Sequence, residues 1–358
     1  MKLRLLVLAI LLVLVQTVLA ESLSKNQANN QSGKIHLKWV LAHEPVDIFL
    51  PAAKRFSEEV SKNSDGKISI EILSLPEYSK KYNKGKQLTS GEVAGLVRRG
   101  EIEMSQTYTT TLAMSFTPLM VLDLPFLFKD HEHATRVLDG KIGRNLLEGL
   151  SLAEMKGLAF TYSGGYRIMP GRKPAERIED FKGMNVTTSN SQVARDVFVA
   201  LGAHPVLGNP YREFSGIFDD KKMDMAELTY ARVGAIKNMF TRGDVKFINE
   251  TNHSLFLTAI ILNERTWNSM SSAQQEVIQS AALSAAAYER KTALEANVKA
   301  TKELQEAGFK IVHMEKSEIE KWKTIVAPIY EKYGRLLGKD LIESIQKEAT
   351  SKSLANAN

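Results

Sequence analysis

The chain has 358 residues, 44% of them hydrophobic and 25% charged, which supplies apolar material for two sizeable cores and excludes a disordered or fibrous protein. It contains no cysteine, so disulfides, thiolate metal sites, cysteine nucleophiles and a lipid-bearing cysteine are excluded together. The net charge of +6 becomes +4 without Lys2 and Arg4 of the amino-terminal segment, a mild basic balance that gives no reason to expect a nucleic-acid partner.

The chain opens with MKLR, the apolar run LLVLAILLVLV and then QTVLA, with Val18 and Ala20 at the key positions before a cut. This is the pattern of a secretory signal peptide cleaved after Ala20. A polar leader over 21–34 follows, and no later segment approaches the roughly 18 uninterrupted apolar residues of a transmembrane helix. The exported chain is therefore expected to be soluble. IHLKWVLA reads as a strand. In VDIFLPAAKRFSEEV, Val46, Phe49, Ala53, Phe56 and Val60 recur at steps of three and four, one apolar face of a helix, and DGKISIEIL returns to a strand. A helix between two strands predicts a parallel crossover.

A lysine-rich loop over 77–87, with Lys80, Lys81, Lys84 and Lys86, reads as solvated. Helix GEVAGLVRRG, strand EIEMSQTY, short helices at HATRVLDG and GRNLLEGL and strand KGLAFTYS complete a first cycle. A second begins after Gly164 and Gly165: strand GYRIMP, turn GRKPAER, strand KGMNVTT running into helix SQVARDVFVALG, strand HPVL, helix YREFSGIFDD, strand KMDMAEL, helix YARVGAIKNMF and strand KFINE. SLFLTAIIL is a buried strand. After it nearly 38 residues of strong helix formers run to Gly308 without a proline, a helix of about 55 Å that would cross two domains. A last strand, two helices and a frayed tail end the chain. The alternation predicts an α/β fold with mainly parallel sheets.

Catalytic signatures are scarce. DHEHA at 130–134 places two histidines at i and i+2, on different sides of a helix whose start Asp130 caps, and no HExxH occurs. No nucleophile elbow, P-loop or dinucleotide fingerprint is present, and Glu101 with Glu103, or Asp219 with Asp220, sit in no setting that separates an acid from a base. No metal, cofactor or catalytic role is expected. An exported two-lobed α/β chain with a helix across both lobes has the geometry to close on a small molecule.

GEIEMSQTYTTTLAMSFTPLMVLDLPFLFKDHEHATRVLDG and IGRNLLEGL, then GYRIMPGRKPAERIEDFKGMNV, VALGAHPV, YREF, KMDMAEL and ILNERTWNSMSSAQQEVIQ, resemble in this order the solute-binding proteins of TRAP transporters, the DctP-like periplasmic receptors. The resemblance runs from about residue 35 to 345. It implies a two-lobed periplasmic-binding-protein-like fold with hinge strands and a long helix spanning both lobes: lobe I over 35–164 plus 254–293, lobe II over 165–253 plus 294–349, and a flexible tail over 350–358. It further implies a periplasmic location, capture of a small organic ligand and delivery to TRAP membrane subunits. The rival expectations are a stand-alone exported receptor, a carrier of a neutral or apolar ligand, and an exported hydrolase.

The family's usual carboxylate-binding Arg lies in a pattern G-L-K-I-R-V-P; aligned on Gly183 this chain reads G-M-N-V-T-T-S, with Thr187 in its place. A guanidinium there would give two parallel hydrogen bonds to an acid, so its loss removes about 1.5–3 kcal/mol. The resemblance places Arg167, Asn190, Tyr211, Glu227 and Leu228 at further ligand positions, with His43, Thr107 and Tyr108 facing the ligand from the first lobe. Three arrangements follow: Arg212, beside Tyr211, substitutes for the missing fork; Arg167 and helix N–H groups hold the acid; or the ligand is neutral or largely apolar.

Overall fold

The computed structural model describes residues 34–43, 46–208, 223–242 and 244–350. The expected signal peptide, nearly all of the leader and the tail from 351 lie outside the described residues. Strand β1 (Ile35–Leu41) leads through α1 (Leu50–Asn63) to β2 (Ile68–Ser74), and β1 and β2 pair in parallel from Ile35↔Ile68 onward, as the pattern predicts. Helix α1 buries Ala52, Ala53, Phe56 and Val60, with Phe56 edge-on to Trp39 at 4.9 Å. The lysine-rich stretch departs from the expected loop. Residues Leu75–Tyr82 form helix α2, because Ser74 and Glu77 close a capping box with Pro76 in the first turn and Lys80 and Lys81 in the last. Lys81 and the Tyr82 hydroxyl both reach Glu71 of β2, at 2.5 and 2.6 Å.

Helix α3 (Ser90–Arg99), strand β3 (Met104–Tyr108), helices α4 (Thr109–Ala113), α5 (His131–Asp139) and α6 (Lys141–Gly149) and strand β4 (Met155–Tyr166) complete the first cycle. Asp130 caps α5, accepting from the His133 N–H at 2.7 Å. His133 Nδ1 accepts from the Lys129 N–H, so its Nε2 donates, to the carbonyl of Ile345 at 2.7 Å; His131 lies against Tyr162 and Tyr166.

The second cycle runs β5 (Met169–Gly171), β6 (Asn185–Thr188), α7 (Gln192–Ala200), β7 (His204–Leu207), β8 (Met225–Ala226), α8 (Tyr230–Ala235), α9 (Lys237–Arg242) and β9 (Phe247–Glu250). The helix expected over YARVGAIKNMF is broken at Ile236 into α8 and α9. Gly234 lets α8 approach the long helix so closely that a Cβ there would crowd Ala300. Strand β10 (Leu255–Asn263), helices α10 (Glu264–Asn268) and α11 (Ser272–Glu306), strand β11 (Lys310–His313) and helices α12 (Lys316–Leu337) and α13 (Lys339–Lys347) follow.

Among the described residues the strands form two sheets, ordered β2-β1-β3-β10-β4 and β11-β9-β5-β8-β6-β7. Each is mixed. In the first, β10 runs antiparallel to β3 and β4; in the second, β5 runs antiparallel to β8 and β9. Each sheet has its own helices, giving a two-lobed α/β fold. Helix α11, 35 residues and about 52 Å long, lays Ala281, Ala282, Ala285 and Ala286 on the core of the first sheet and Ala300 and Leu304 on that of the second. It starts at a capping box of Ser271 and Gln274. Asn297 ties its middle to the second lobe by accepting from the Ala231 N–H at 3.0 Å.

The chain passes between the sheets from β4 to β5 and returns from β9 to β10. Gly164 and Gly165 have φ of +95° and +87°, and the β4–β10 register shifts beside them, a bulge that bends the strand before it crosses. A Cβ on Gly164 would meet Thr229 Oγ1. Gly164→Ala should therefore lower the unfolding free energy by more than about 1 kcal/mol, read as a fall in the urea midpoint. An unchanged midpoint would mean that the bulge relaxes freely.

Candidate ligand-binding site

Arg167 lies in the first crossing segment, its N–H bonded to the carbonyl of Ser254 in the second at 2.9 Å. It is 1% exposed. Nη1 donates to Glu227 Oε2 at 2.8 Å and to Ser189 Oγ at 3.2 Å, while Nη2 faces Asp123 Oδ1 at 3.5 Å. Glu227 Oε1 also accepts from His253 Nε2 at 2.8 Å, and Oε2 accepts from the Thr188 hydroxyl. Asp123 Oδ2 accepts from Ser191 Oγ at 2.8 Å. Burial opposes ionisation of Glu227, but the Arg167 charge and the His253 hydrogen bond overrule it and hold the carboxyl well below the usual range. For Asp123 burial wins and its pKa is raised. This cluster joins both crossing segments to Thr188 at the end of β6, Glu227 just after β8 and the turn Thr117–Asp123.

A second cluster faces it across Phe256. The His43 and Tyr108 rings stack with centroids 3.4 Å apart, and Tyr108 stacks on Phe256 at 4.7 Å. His43 Nε2 accepts from the Tyr108 backbone N–H at 3.0 Å and lies 3.3 Å from Thr107 Oγ1. The proton of the neutral imidazole therefore sits on Nδ1. Burial, then the charge of Arg232, holds the His43 pKa well below its ordinary value; burial raises that of Tyr108. Arg232, from α8, donates from Nη1 to Ser163 Oγ at 3.1 Å and lies 5.8 Å from the Tyr108 centroid and 5.7 Å from that of Phe256. Arg167 is 4.3 Å from the same Phe256 centroid. The two guanidiniums thus flank one buried aromatic stack where the lobes meet.

The remaining expected residues are spread more widely. Thr187 is fully buried and in register with Ala226 of β8, so the pleat turns it to the face of Ala226 and Leu228, opposite to Thr188 and Glu227. Leu228 packs with Ile168, Ala226 and Val233 in an apolar core. Asn190 is exposed, with its amide 3.7 Å from Met114 Sδ. The helix after it is capped by Ser191, which accepts from the Ala194 N–H at 3.2 Å. Tyr211 and Arg212 lie outside the described residues. A separate groove of about 790 Å³ between α5, α11 and α12, with Tyr166, Tyr230 and Asn297 among its walls, includes none of the expected site residues.

Asp123, Ser163, Arg232, His253 and Phe256 belong to these clusters without having been singled out from the sequence. Arg232 carried a usable signal: it stands beside Val233 in the mostly apolar run YARVGAI, where a buried charge needs a tertiary reason.

Residues 42–336 match bacterial extracellular solute-binding protein, family 7, the DctP family. The chain belongs to that family. As a DctP-family member it is a periplasmic, TRAP-type solute-binding protein, the role its sequence led us to expect. Curated relatives include the 2,3-diketo-L-gulonate-binding periplasmic protein of Escherichia coli, 28% identical over 73% of this chain and 76% of its own length. Another is the C4-dicarboxylate-binding periplasmic protein of Rhodobacter capsulatus, 26% identical over 84% and 86%. Among solved structures, a TRAP periplasmic solute-binding protein of Polaromonas sp. JS666 bound to D-erythronate is 25% identical, with a TM-score of 0.77 over 89% of this chain and all of its own. The sugar acid binding protein of Advenella mimigardefordensis in complex with galactonate shares the fold, at 24% identity and a TM-score of 0.78 over 88% and 98%. The family and these neighbours are receptors that hold solutes.

Proposed function

We propose that this DctP-family protein captures a small organic acid between its lobes and passes it to TRAP membrane subunits, with no chemical step of its own. The observation that carries the reading is the pair of buried guanidiniums, Arg167 and Arg232, flanking the His43–Tyr108–Phe256 stack at the lobe junction. Buried guanidinium donors beside aromatic rings favour an acceptor-rich ligand with an organic body. The relatives named for a ligand are named for acids, which agrees. His43 supports a receptor over a hydrolase, since its one accepting nitrogen is occupied by a backbone N–H. Of the residues expected from the sequence, His43, Thr107, Tyr108, Arg167 and Glu227 form or support this wall, and Thr187, Asn190 and Leu228 shape the second lobe beside it.

In this reading lobe I is 35–164 with 254–293 and lobe II is 165–253 with 294–349. They close by bending at the two crossings, and export removes residues 1–20. Amino-terminal sequencing of the exported protein should begin at Glu21. Thr187 and Leu228, which carry no charge, favour a second reading in which the ligand is neutral or largely apolar. Thermal unfolding of purified protein with succinate, D-erythronate, D-galactonate and neutral D-galactose separates the two. An acid should raise the midpoint by several degrees, as expected of a ligand well above its Kd, and D-galactose should not. Stabilisation by neutral molecules alone would remove the acid reading.

A further inference from the structure

We propose that Thr229 and Asn297 form the latch that holds the two lobes shut on the ligand, acting as positioning residues for solute capture. This rests on the reading of the protein as a two-lobed receptor for an organic acid and names what stabilises its closed form.

The latch starts from two backbone carbonyls that the first sheet cannot use. Between β4 and β10 the register passes from Leu257↔Tyr162 directly to Phe256↔Gly165, so Ser163 and Gly164 stand in the bulge without ladder partners. Both are buried, where a carbonyl without a donor is costly. The Ser163 carbonyl accepts from the Thr229 hydroxyl at 3.0 Å, and the Gly164 carbonyl accepts from the Asn297 side-chain amide. In the two-lobe reading Ser163 and Gly164 end the first part of lobe I, whereas Thr229 and Asn297 belong to lobe II. Each bond therefore crosses the boundary.

The start of α8 is built around these bonds. Thr229 is its N-cap residue, in the extended conformation, but the side chain makes no bond to its own helix. A threonine in that position ordinarily accepts from an N–H of the first turn. Here its hydroxyl is turned to Ser163, and the cap comes from another helix: Asn297 Oδ1, on α11, accepts from the Ala231 N–H at 3.0 Å. One amide thus holds the bulge with its nitrogen and the start of α8 with its oxygen. Arg232 adds a third bond across the boundary, from Nη1 to Ser163 Oγ at 3.1 Å. The fit is close, since a Cβ on Gly164 would strike Thr229 Oγ1 and one on Gly165 would come within 3.2 Å of Asn297 Nδ2.

The lobes meet in this structure with His43, Tyr108, Arg167 and Phe256 buried. When the lobes part, water can serve both bulge carbonyls, so the latch contributes nothing to the open form. When they meet without it, both carbonyls are buried unpaired. Removing the latch therefore destabilises the closed form alone, and the ligand leaves faster.

Isothermal titration of the wild type with succinate, D-erythronate and D-galactonate identifies the acid used as probe, and stopped-flow tryptophan fluorescence gives its association and dissociation rates. Thr229→Val keeps the side-chain shape and loses the hydroxyl. Asn297→Asp keeps the acceptor for Ala231 and loses the donor for Gly164. Each should weaken the acid about tenfold, through the dissociation rate, with association changed less than about threefold. Thr229→Ser, which keeps the hydroxyl, should restore wild-type rates. A merely structural role would lower the urea midpoint of the ligand-free protein without raising the dissociation rate. If Asn297→Asp does not fold, the Thr229→Val and Thr229→Ser pair carries the test, because Thr229 caps nothing in α8. A dissociation rate within about twofold of wild type in folded Thr229→Val or Asn297→Asp, or equal losses in Thr229→Val and Thr229→Ser, would overturn the latch and leave the receptor reading intact. A wild type that binds none of the three acids would count against the receptor reading and this inference together.

Discussion

Glu227→Ala should cost about 3–5 kcal/mol of unfolding free energy, the range for removing one partner of a buried ion pair. Glu227 is 2% exposed and accepts from Arg167, His253 and Thr188 at once. Without it, Arg167 keeps Asp123 at 3.5 Å and the uncharged Ser189 Oγ at 3.2 Å, and His253 loses its acceptor beneath Trp322, on which it stacks at 5.2 Å. The loss should appear as a lower urea midpoint with an unchanged slope. The folded-state pKa of Glu227 lies below its unfolded value, so its contribution is present above the unfolded pKa of about 4.3 and fades as pH falls through the folded pKa. The gap between wild type and variant should therefore be wide at pH 7 and narrow in acid. A gap that is small at pH 7, or independent of pH, would show that this cluster does not hold the crossings together.

Glu289 should impose the opposite pH dependence. It projects from α11 onto the first sheet, where its carboxyl accepts from Gln106 Nε2 at 2.7 Å, and the same amide reaches Thr161 and Thr258 at 2.8 and 3.2 Å. Burial pushes its pKa up to about 8, against the smaller pull of the Gln106 hydrogen bond. The folded state therefore keeps a proton that the unfolded chain releases near pH 4.3. Stability is greatest below that value and falls by up to about 1.4 kcal/mol per pH unit as pH rises toward 8. Glu289→Gln keeps an acceptor for Gln106 and has no charge to bury. Its urea midpoint should be nearly flat between pH 5 and 8.5 and exceed that of wild type at the upper end. Parallel pH profiles for the two proteins would refute the buried neutral acid.

Much of the architecture could be read in advance because it is written in local spacing. The three-four recurrence from Val46 to Val60 yields α1 between two parallel strands, and the glycine-poor run after Ser271 yields a 35-residue helix across both lobes. The exception at Leu75–Tyr82 is also local. Four lysines suggested a solvated loop, but the Ser74–Glu77 capping box satisfies the first N–H groups and the helix forms.

The candidate site was legible in part and for a different reason. Motif likeness brought forward His43, Thr107, Tyr108, Arg167 and Glu227, which do meet at the lobe junction. Within KGMNVTTSN, neighbouring threonines part company. Thr188 bonds Glu227, whereas Thr187 turns to the other face, because side chains alternate along a strand. Asn190 ends exposed, and the cap passes to Ser191.

By itself the sequence determined the order and type of most elements, the lack of cysteine chemistry and the membership of a receptor family, since helix and strand periodicity and ordered motifs are properties of neighbouring residues. Only the tertiary structure decided which buried charges meet. Arg167 finds Asp123 and Glu227 from 44 and 60 residues away, and Arg232 finds Ser163 across 69. The strength of such pairs depends on distance in space and on the exclusion of water, and separation along the chain encodes neither.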